Sequence, residues 1–429
     1  MVFIATLVAF FVLGTVVAVV SRKFLGKGFE EFVVAGYRVG GLLSAFTYAA
    51  TTYSAFMMVG LVGLTYATGI AALGFELVYL VATIGILVTV GPTIWRKSRE
   101  RKWISPASMI GDLYNSRTLA AAIAALYIVT LIPYLSAQFK GIGEIFSALG
   151  LGYESGIVFT AFTTFAWIAV AGLWSVAATD AYQGMWMLIT SIAAVIWATL
   201  FLLRSAGLDI ARALAIVANK DLMSFRWALS TFIGLSLPWI FFALTNPQVV
   251  QRLYIPRDSK AYKDMVKYFS VYGLIYTVIC VFLGLIFRAY VAATDVSLET
   301  ALINQRDSVT PTLLMCGHPL LASLVFVGIV AAAISTADSI VLTVSSAIAR
   351  DIFMAYSRSK SERKAIAITY IAAAAMTSMA TAVAMRRIAY VVELSVTSSE
   401  LLLPLAPITL AGLYKEPGRQ GLPLSLIHI

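Results

Sequence analysis

The chain is a succession of apolar runs, each long enough to cross a bilayer. Windows of about 20 apolar residues predict about eleven spans, at 2–20, 41–68, 71–95, 118–139, 155–172, 176–203, 227–248, 268–290, 319–346, 365–385 and 389–413. Backbone polar groups in lipid must be satisfied within the protein, so such spans fold as helices. With 60% hydrophobic residues, 12% charged residues and a mean hydropathy of +0.90, we expect an all-α, polytopic membrane protein.

Basic residues predict which side of the membrane each loop faces. Of the 31 Lys and Arg residues, 22 fall in 21–40, 95–117, 251–267, 350–364 and after 413, and 9 fall on the opposite side. Basic loops are retained in the cytosol. We therefore expect a multi-pass plasma-membrane protein with its N-terminus outside. The net charge of +10 belongs to these short loops, so we expect no nucleic-acid partner.

This orientation divides the spans into two units. Spans two to six begin in the cytosol and spans seven to eleven begin outside, which is the arrangement of inverted-repeat transporters. We predict one transmembrane domain over 1–423, with an extra helix at 2–20, one repeat at 41–203 and a second at 227–413. Hydropathy alone leaves the repeat open, because eleven spans can be divided in several ways.

The last six residues, LSLIHI at 424–429, match the translation of a transposon end used in preparing sequencing libraries. We interpret 424–429 as a non-native scar on a truncated chain. His318 is then the single histidine, and Cys280 and Cys316 have no metal-ligand spacing. Without GxSxG or HExxH motifs, the sequence argues against an enzyme.

A carboxylate and several hydroxyls lie inside the ninth span, AAAISTADSIVLTVSS at 331–346. Ser335, Asp338 and Ser339 share one helix face. A charge at the centre of a span costs roughly 2.5–3.5 kcal/mol, so it normally faces a cavity, an ion or a partner. One carboxylate with neutral oxygens favours a monovalent cation such as sodium over calcium. The alternative is that the hydroxyls bond back to their own helix or join neighbouring helices.

The second span carries small polar residues together with Gly60 and Gly63. This composition is typical of a membrane helix that unwinds and frees backbone carbonyls for an ion. Glycines are also common in unbroken membrane helices, so the pattern is weak by itself.

Four stretches resemble the sodium:solute symporter family. They are TTYSAFMMVGLVGLTYATG from Thr51, AGLWSVAATDAYQGMWM from Ala171, NPQVVQRLYIPRDS from Asn246 and GIVAAAISTADSIVLTVSSAIARDI from Gly328. The likeness covers about residues 1–420 and implies a LeuT-type core of ten helices, a five-plus-five inverted repeat, behind one extra N-terminal helix. It also implies sodium-coupled import of a small organic solute, such as an amino acid like proline or a monocarboxylate or pantothenate-like solute, by alternating access.

The resemblance places a sodium ion (Na+) among the carbonyls of Ala50, Tyr53 and Ala332 and the hydroxyls of Ser335 and Thr336. A second cation site, present in some members, corresponds here to Asp180, Asp338 and Ser339. Two close carboxylates would face one cation or share a proton. The alternative for Asp180 is a helix-start residue that accepts hydrogen bonds from backbone amides.

The resemblance also places nine residues at a solute cavity: Ser54, Phe56, Met57, Glu76, Tyr134, Gln138, Trp239, Ala243 and Pro247. Thr52, Phe56 and Ala243 depart from the sodium/proline symporter, which has aspartate, tryptophan and tyrosine there. Met57 and Trp239 replace polar residues of the sugar symporters, but Glu76 matches a sugar-contacting glutamate and leaves a polyol or an amine open. Trp239 and Tyr134 are alternatively packing aromatics.

Two further functions compete with symport. One is a solute-sensing domain of a larger signalling protein, and the other is a passive leak for sodium or water. For the transporter we expect a monomer whose partners are the solute, sodium and the lipid bilayer.

Overall fold

The computed structural model describes residues 1–21, 23, 29–357 and 361–415, with the backbone alone for 169–173, 175 and 415. These residues form α-helices and helical turns, and the single β-bridge among them joins Val39 and Pro256. The α-helices are α1 (Val2–Ser21), α2 (Phe29–Val34), α3 (Gly41–Thr52), α4 (Val62–Thr68), α5 (Ala71–Thr89), α6 (Gly91–Arg101), α7 (Pro106–Leu113), α8 (Arg117–Ala148), α9 (Tyr153–Trp197), α10 (Leu203–Ser205), α11 (Ile210–Asn219), α12 (Leu229–Ile240), α13 (Phe242–Thr245), α14 (Pro247–Arg252), α15 (Ser259–Thr294), α16 (Val296–Asn304), α17 (Val309–Leu314), α18 (Pro319–Ala347), α19 (Glu362–Ala384), α20 (Val391–Leu402) and α21 (Leu405–Lys415). The predicted all-α class is confirmed, and the predicted scar at 424–429 lies outside the described residues.

The number of spans differs from the predicted eleven. Eight described helices are long and apolar enough to cross a membrane, and two bent pairs, each taken as one span, bring the number to ten. The predicted spans 155–172 and 176–203 are joined in α9, whose described backbone is helical through 173–175. A single glycine, Gly172, costs only about 1 kcal/mol in a helix and does not have to end it.

The second span breaks where α3 ends. Its two halves, Gly41–Thr52 and Phe56–Thr68, are bent by 51°, and Tyr53 is extended with φ −92° and ψ 110°. The hydroxyl of Ser54 accepts a hydrogen bond from the amide of Phe56 at 3.1 Å, which offers this backbone an alternative to the helix. The break thus lies in the small polar stretch, whereas Gly60 is within the π-helical turn Phe56–Leu61 that follows.

The span Leu229–Arg252 is also interrupted. Helices α12, α13 and α14 are separated at Phe241 and at Asn246, which is extended with φ −81° and ψ 112°. Pro247 disfavours the helical conformation in the residue before it. The first span of each predicted repeat therefore contains irregular backbone.

Helix α18 is the centre of the bundle. Nearly every residue from Ala322 to Ala347 is buried, and the helix packs against α1, α3, α8, α9, α14 and α19. A membrane helix that is buried all round faces protein instead of lipid. The hydroxyls and the carboxylate of this helix consequently point at neighbouring helices.

Residues 304–314, which we call the outer cap because the distribution of basic residues predicts that they lie outside, pack against α4 and α8. Asp307 accepts hydrogen bonds from Lys140 of α8 at 2.8 Å and from the first amide of α20, Val391, at 2.9 Å. Lys140 also pairs with Glu144 at 3.1 Å. All three charged side chains are more than nine-tenths buried, so removing one would leave the others uncompensated.

The outer cap also contacts the second half of the broken span. Thr310 donates a hydrogen bond to the carbonyl of Met58. The carbonyl of Arg306 lies so close to Gly63 that a Cβ added there would be 2.1 Å from its oxygen. The cap therefore joins the broken span to α8 and α20.

We predict that Gly63→Ala destabilises the protein, because the added methyl group meets backbone that cannot rotate away. Overpacking of this kind costs about 1–3 kcal/mol. The measurement is the Tm of the purified protein in detergent. Gly85→Ala is the matched control: this exposed helical glycine has nothing within 4 Å of the added Cβ, and the change should be neutral or stabilise by roughly 0.5–1 kcal/mol. Equal Tm changes for both variants would contradict the close contact.

Candidate functional site

The broken span meets α18 through hydroxyl and carbonyl oxygens. Ser335 Oγ donates to the carbonyl of Ala50 at 2.9 Å and to that of Ala332 at 3.0 Å. Thr336 Oγ1 lies 3.2 Å from the Ala50 oxygen and 3.4 Å from that of Thr51. Four of the five residues predicted for the first sodium site therefore contribute oxygens to one cluster. Two of them, Ala50 and Ser335, are 285 positions apart in the chain.

Tyr53 is the fifth of those residues. It directly follows α3, and its side chain stacks on Phe269 with ring centroids 5.8 Å apart. No hydrogen bond among the described residues joins its carbonyl to α18. The cluster has hard neutral oxygens, which suit an alkali cation better than a transition metal.

Arg252 lies in the second predicted cation position, beside Asp180 and Ser339. The count of basic residues predicts a cytosolic loop for it instead. Arg252, at the end of α14, is fully buried. Its Nη2 donates to Ser339 Oγ at 2.6 Å and lies 3.6 Å from Asp180 Oδ2, and its Nε donates to Thr47 Oγ1 at 3.0 Å. The guanidinium therefore compensates Asp180, which also accepts a hydrogen bond from Thr47 at 2.5 Å.

Two expectations for Asp180 need correction. It lies within α9 and not at a helix start, so the helix-start interpretation is wrong. It also faces Arg252 in addition to Asp338, so the two carboxylates do not form an isolated pair. Asp180 and Asp338 interact electrostatically, and each keeps one buried oxygen, Oδ1, without a hydrogen-bond partner in the described chain.

The residues predicted for the solute cavity are all buried, and several of them are near the break. Gln138 Oε1 accepts from the amide of Ala55 at 3.2 Å, and its Nε2 donates to the carbonyl of Tyr134 at 3.2 Å. Gln138 thus satisfies one of the amides that the break exposes. Met57, Ala243 and Pro247 also lie in interrupted segments, the first in the turn after the break and the other two in α13 and α14.

Aromatic rings enclose Trp239. Its ring centroid is 4.7 Å from that of Phe56, 5.0 Å from Tyr79, 5.4 Å from Phe242 and 5.7 Å from Phe75. We call these five residues the aromatic box. Phe75, Tyr79 and Phe242 were missed by the sequence reasoning, because a buried aromatic on a membrane helix has no distinguishing pattern.

Glu76 lies on α5 between Phe75 and Tyr79. It is 0% exposed, and neither carboxylate oxygen has a hydrogen-bond partner among the described residues. Trp239 Nε1 is likewise buried without a partner there. Several hydrogen-bonding groups without a partner in the described chain thus lie among aromatic side chains.

Most of the chain is similar to known membrane transport proteins. The model of a family described as "Sodium:solute symporter family" matches residues 32–417. The "Sodium/proline symporter 2" of Staphylococcus saprophyticus is 24% identical over 76% of this chain and 63% of its own length. A "Monocarboxylate transport permease protein" of Rhizobium johnstonii is 26% identical over 35% of this chain and 31% of its own length. The matched parts thus span less than two thirds of these relatives.

A solved structure gives the fold. It is described as the substrate-bound outward-open state of a Na+-coupled sialic acid symporter, and it superimposes with a TM-score of 0.82 at 19% identity, covering 96% of this chain and 87% of that one. The predicted LeuT-type architecture is confirmed by this likeness, while the exact count of eleven spans is not.

We predict that Arg252→Ala strongly destabilises the protein, because it leaves the buried carboxylate of Asp180 uncompensated. Breaking a buried pair in this way costs about 3–5 kcal/mol. The measurement is the free energy of unfolding, or Tm where unfolding is irreversible. Arg257→Ala is the control: its exposed side chain pairs with exposed Asp258, and we expect little change. A mild effect of Arg252→Ala would mean that Asp180 is not ionised.

Proposed function

The chain belongs to the sodium:solute symporter family, and on that premise we propose that it imports a small organic solute together with sodium by alternating access. The observation that carries this proposal is the bonding of the Ser335 and Thr336 hydroxyls to the carbonyl freed at Ala50. Curated relatives named as symporters and as a transport permease favour transport over solute sensing and over an enzyme.

The proposed sodium site lies between α3 and α18. Its ligands are the carbonyls of Ala50, Tyr53 and Ala332 with the hydroxyls of Ser335 and Thr336. Sodium binding would hold α18 against the end of α3 and order the break. The proposed second cation position, at Asp180, Asp338 and Ser339, is one helical turn away and contains Arg252 as a fixed positive charge.

Coupling follows from a shared stretch of backbone. Residues 50–53 would bind sodium, and residues 54–57 would contact the solute. A ligand that orders this stretch lowers the entropic cost for the other, which is positive coupling of typically about 1–3 kcal/mol. Inward movement of each sodium ion also gains about 2.3 kcal/mol per 100 mV of membrane potential.

The proposed solute cavity is built from Ser54, Phe56, Met57, Glu76, Tyr134, Gln138, Trp239, Ala243 and Pro247. All nine belong to one chain, so we propose a monomer as the transport unit. The chain would lie in the plasma membrane with its N-terminus outside and the outer cap facing the exterior.

We predict that the double variant Ser335→Ala, Thr336→Ala loses the stabilisation that sodium gives the wild type over potassium. The measurement is the Tm of the purified protein in matched sodium and potassium buffers. Ser345→Ala is the control, because this buried hydroxyl of the same helix bonds only to its own backbone. Survival of the sodium effect in the double variant would refute the assigned site.

The proposed orientation is tested with the native cysteines. Cys316, exposed in the loop before α18, should react with a membrane-impermeant maleimide in intact cells, whereas Cys280 is buried and should not. Partial burial raises the pKa of the Cys316 thiol, so labelling should accelerate as pH rises and thiolate forms. In a Cys316→Ser background, Arg257→Cys should react only after permeabilisation. Labelling of Arg257→Cys in intact cells, with labelling of Cys316 only after permeabilisation, would show the reverse orientation.

A further inference from the structure

Glu76 leaves both of its carboxylate oxygens buried without a hydrogen-bond partner in the described chain, whereas Asp338, which also has no basic partner there, leaves one. Asp180 has Arg252, Asp307 has Lys140 and Glu299 has Arg288 as a basic partner within 4 Å. In the described chain Glu76 has no such partner. A buried, ionised carboxylate without a countercharge is among the costliest groups that a protein can contain. The groups around Glu76 therefore indicate which kind of ligand could supply a countercharge.

The groups nearest to Glu76 supply no positive charge. Tyr53, Tyr79 and Tyr134 are close enough to interact with it electrostatically, as is the thiol of Cys280. The hydroxyls of Tyr53 and Tyr79 are buried and have no hydrogen-bond partner in the described residues, and the hydroxyl of Tyr134 faces that of Ser54. A carboxylate surrounded by neutral hydroxyls can hold a ligand that brings a cation.

The aromatic box adjoins this carboxylate. Phe75 and Tyr79, the residues immediately before Glu76 and three positions after it, both contact Trp239. The faces of such rings attract organic cations, and tryptophan does so most strongly. A compact hydrated ion would gain less from these rings than an ammonium group with apolar substituents.

We propose that the transported solute carries a positively charged amino group, which binds between Glu76 and the aromatic box. This inference rests on the proposed function and narrows its solute class. A monocarboxylate would bring a second carboxylate toward Glu76, and a neutral polyol would supply no countercharge to it. The ammonium group of an amino acid would pair with Glu76, and its carboxylate would lie toward the proposed sodium site.

The test uses pairs of probes that differ only in the charged nitrogen. L-proline is compared with tetrahydrofuran-2-carboxylate, and choline with 3,3-dimethyl-1-butanol, with propionate and glucose as further probes. Affinity is measured on the purified full chain from the concentration dependence of Tm, in sodium and in potassium. We expect an amine probe to stabilise the wild type in sodium, and its partner without the charged nitrogen to bind about tenfold to a hundredfold more weakly, as for loss of an interaction between charged groups.

Glu76→Gln should remove the preference for the amine while retaining the sodium-only stabilisation, which also serves as the control for folding. Glu76→Asp, which keeps the charge, should retain the preference. Glu400→Gln changes an exposed carboxylate of α20 and should leave both responses as in the wild type.

Three results would overturn the inference while the proposed sodium site stands. They are binding of propionate or glucose that is unaffected by Glu76→Gln, no response to any amine probe in sodium, and loss of the sodium-only response in Glu76→Gln, which would make Glu76 a sodium ligand. Absence of a sodium-only response in the wild type, or its survival in the Ser335→Ala, Thr336→Ala variant, would instead refute the proposed function.

Discussion

The hydrogen bonds from Ser335 and Thr336 to the carbonyl of Ala50 allow this membrane protein to contain an interrupted helix at its centre. Freed backbone groups are tolerated at membrane depth only where protein or a ligand satisfies them. Here α18 satisfies the carbonyl side of the break, and Gln138 satisfies the amide of Ala55. The proposed ion site is thus a consequence of how the break is stabilised. The oxygens of Ala50, Ser335 and Thr336 that bond to each other here could instead coordinate a cation.

Buried charges divide into those with a partner and those without. Arg252 fixes α14 against α3, α9 and α18, and Lys140 fixes the outer cap to α8. These pairs lie where helices must be joined. Glu76 and Asp338 each keep buried oxygens without a partner in the described chain, and both lie at positions proposed for transported ligands. The carboxylates without a basic partner are therefore found where a mobile positive charge would bind.

Some features of the site could be predicted from the sequence and others could not. Ser335, Asp338 and Ser339 were identifiable, because polar residues are costly in an apolar span and their spacing puts them on one helix face. Arg252 was not, since it follows an apolar run like any residue at the start of a cytosolic loop. The break was expected in the second span, but its position at Tyr53 depends on the hydroxyl of Ser54 and on Gln138 from another helix.

The order of the amino acids is enough to identify an all-α membrane protein and the helices that carry polar faces, because hydropathy and helical periodicity are local properties. The tertiary structure alone decided which groups meet. Ala50 and Ser335 come from distant parts of the chain, as do Asp180 and Arg252, and Glu76 and Trp239 lie on separate helices. Such contacts depend on how helices pack, and a local sequence pattern does not specify that packing.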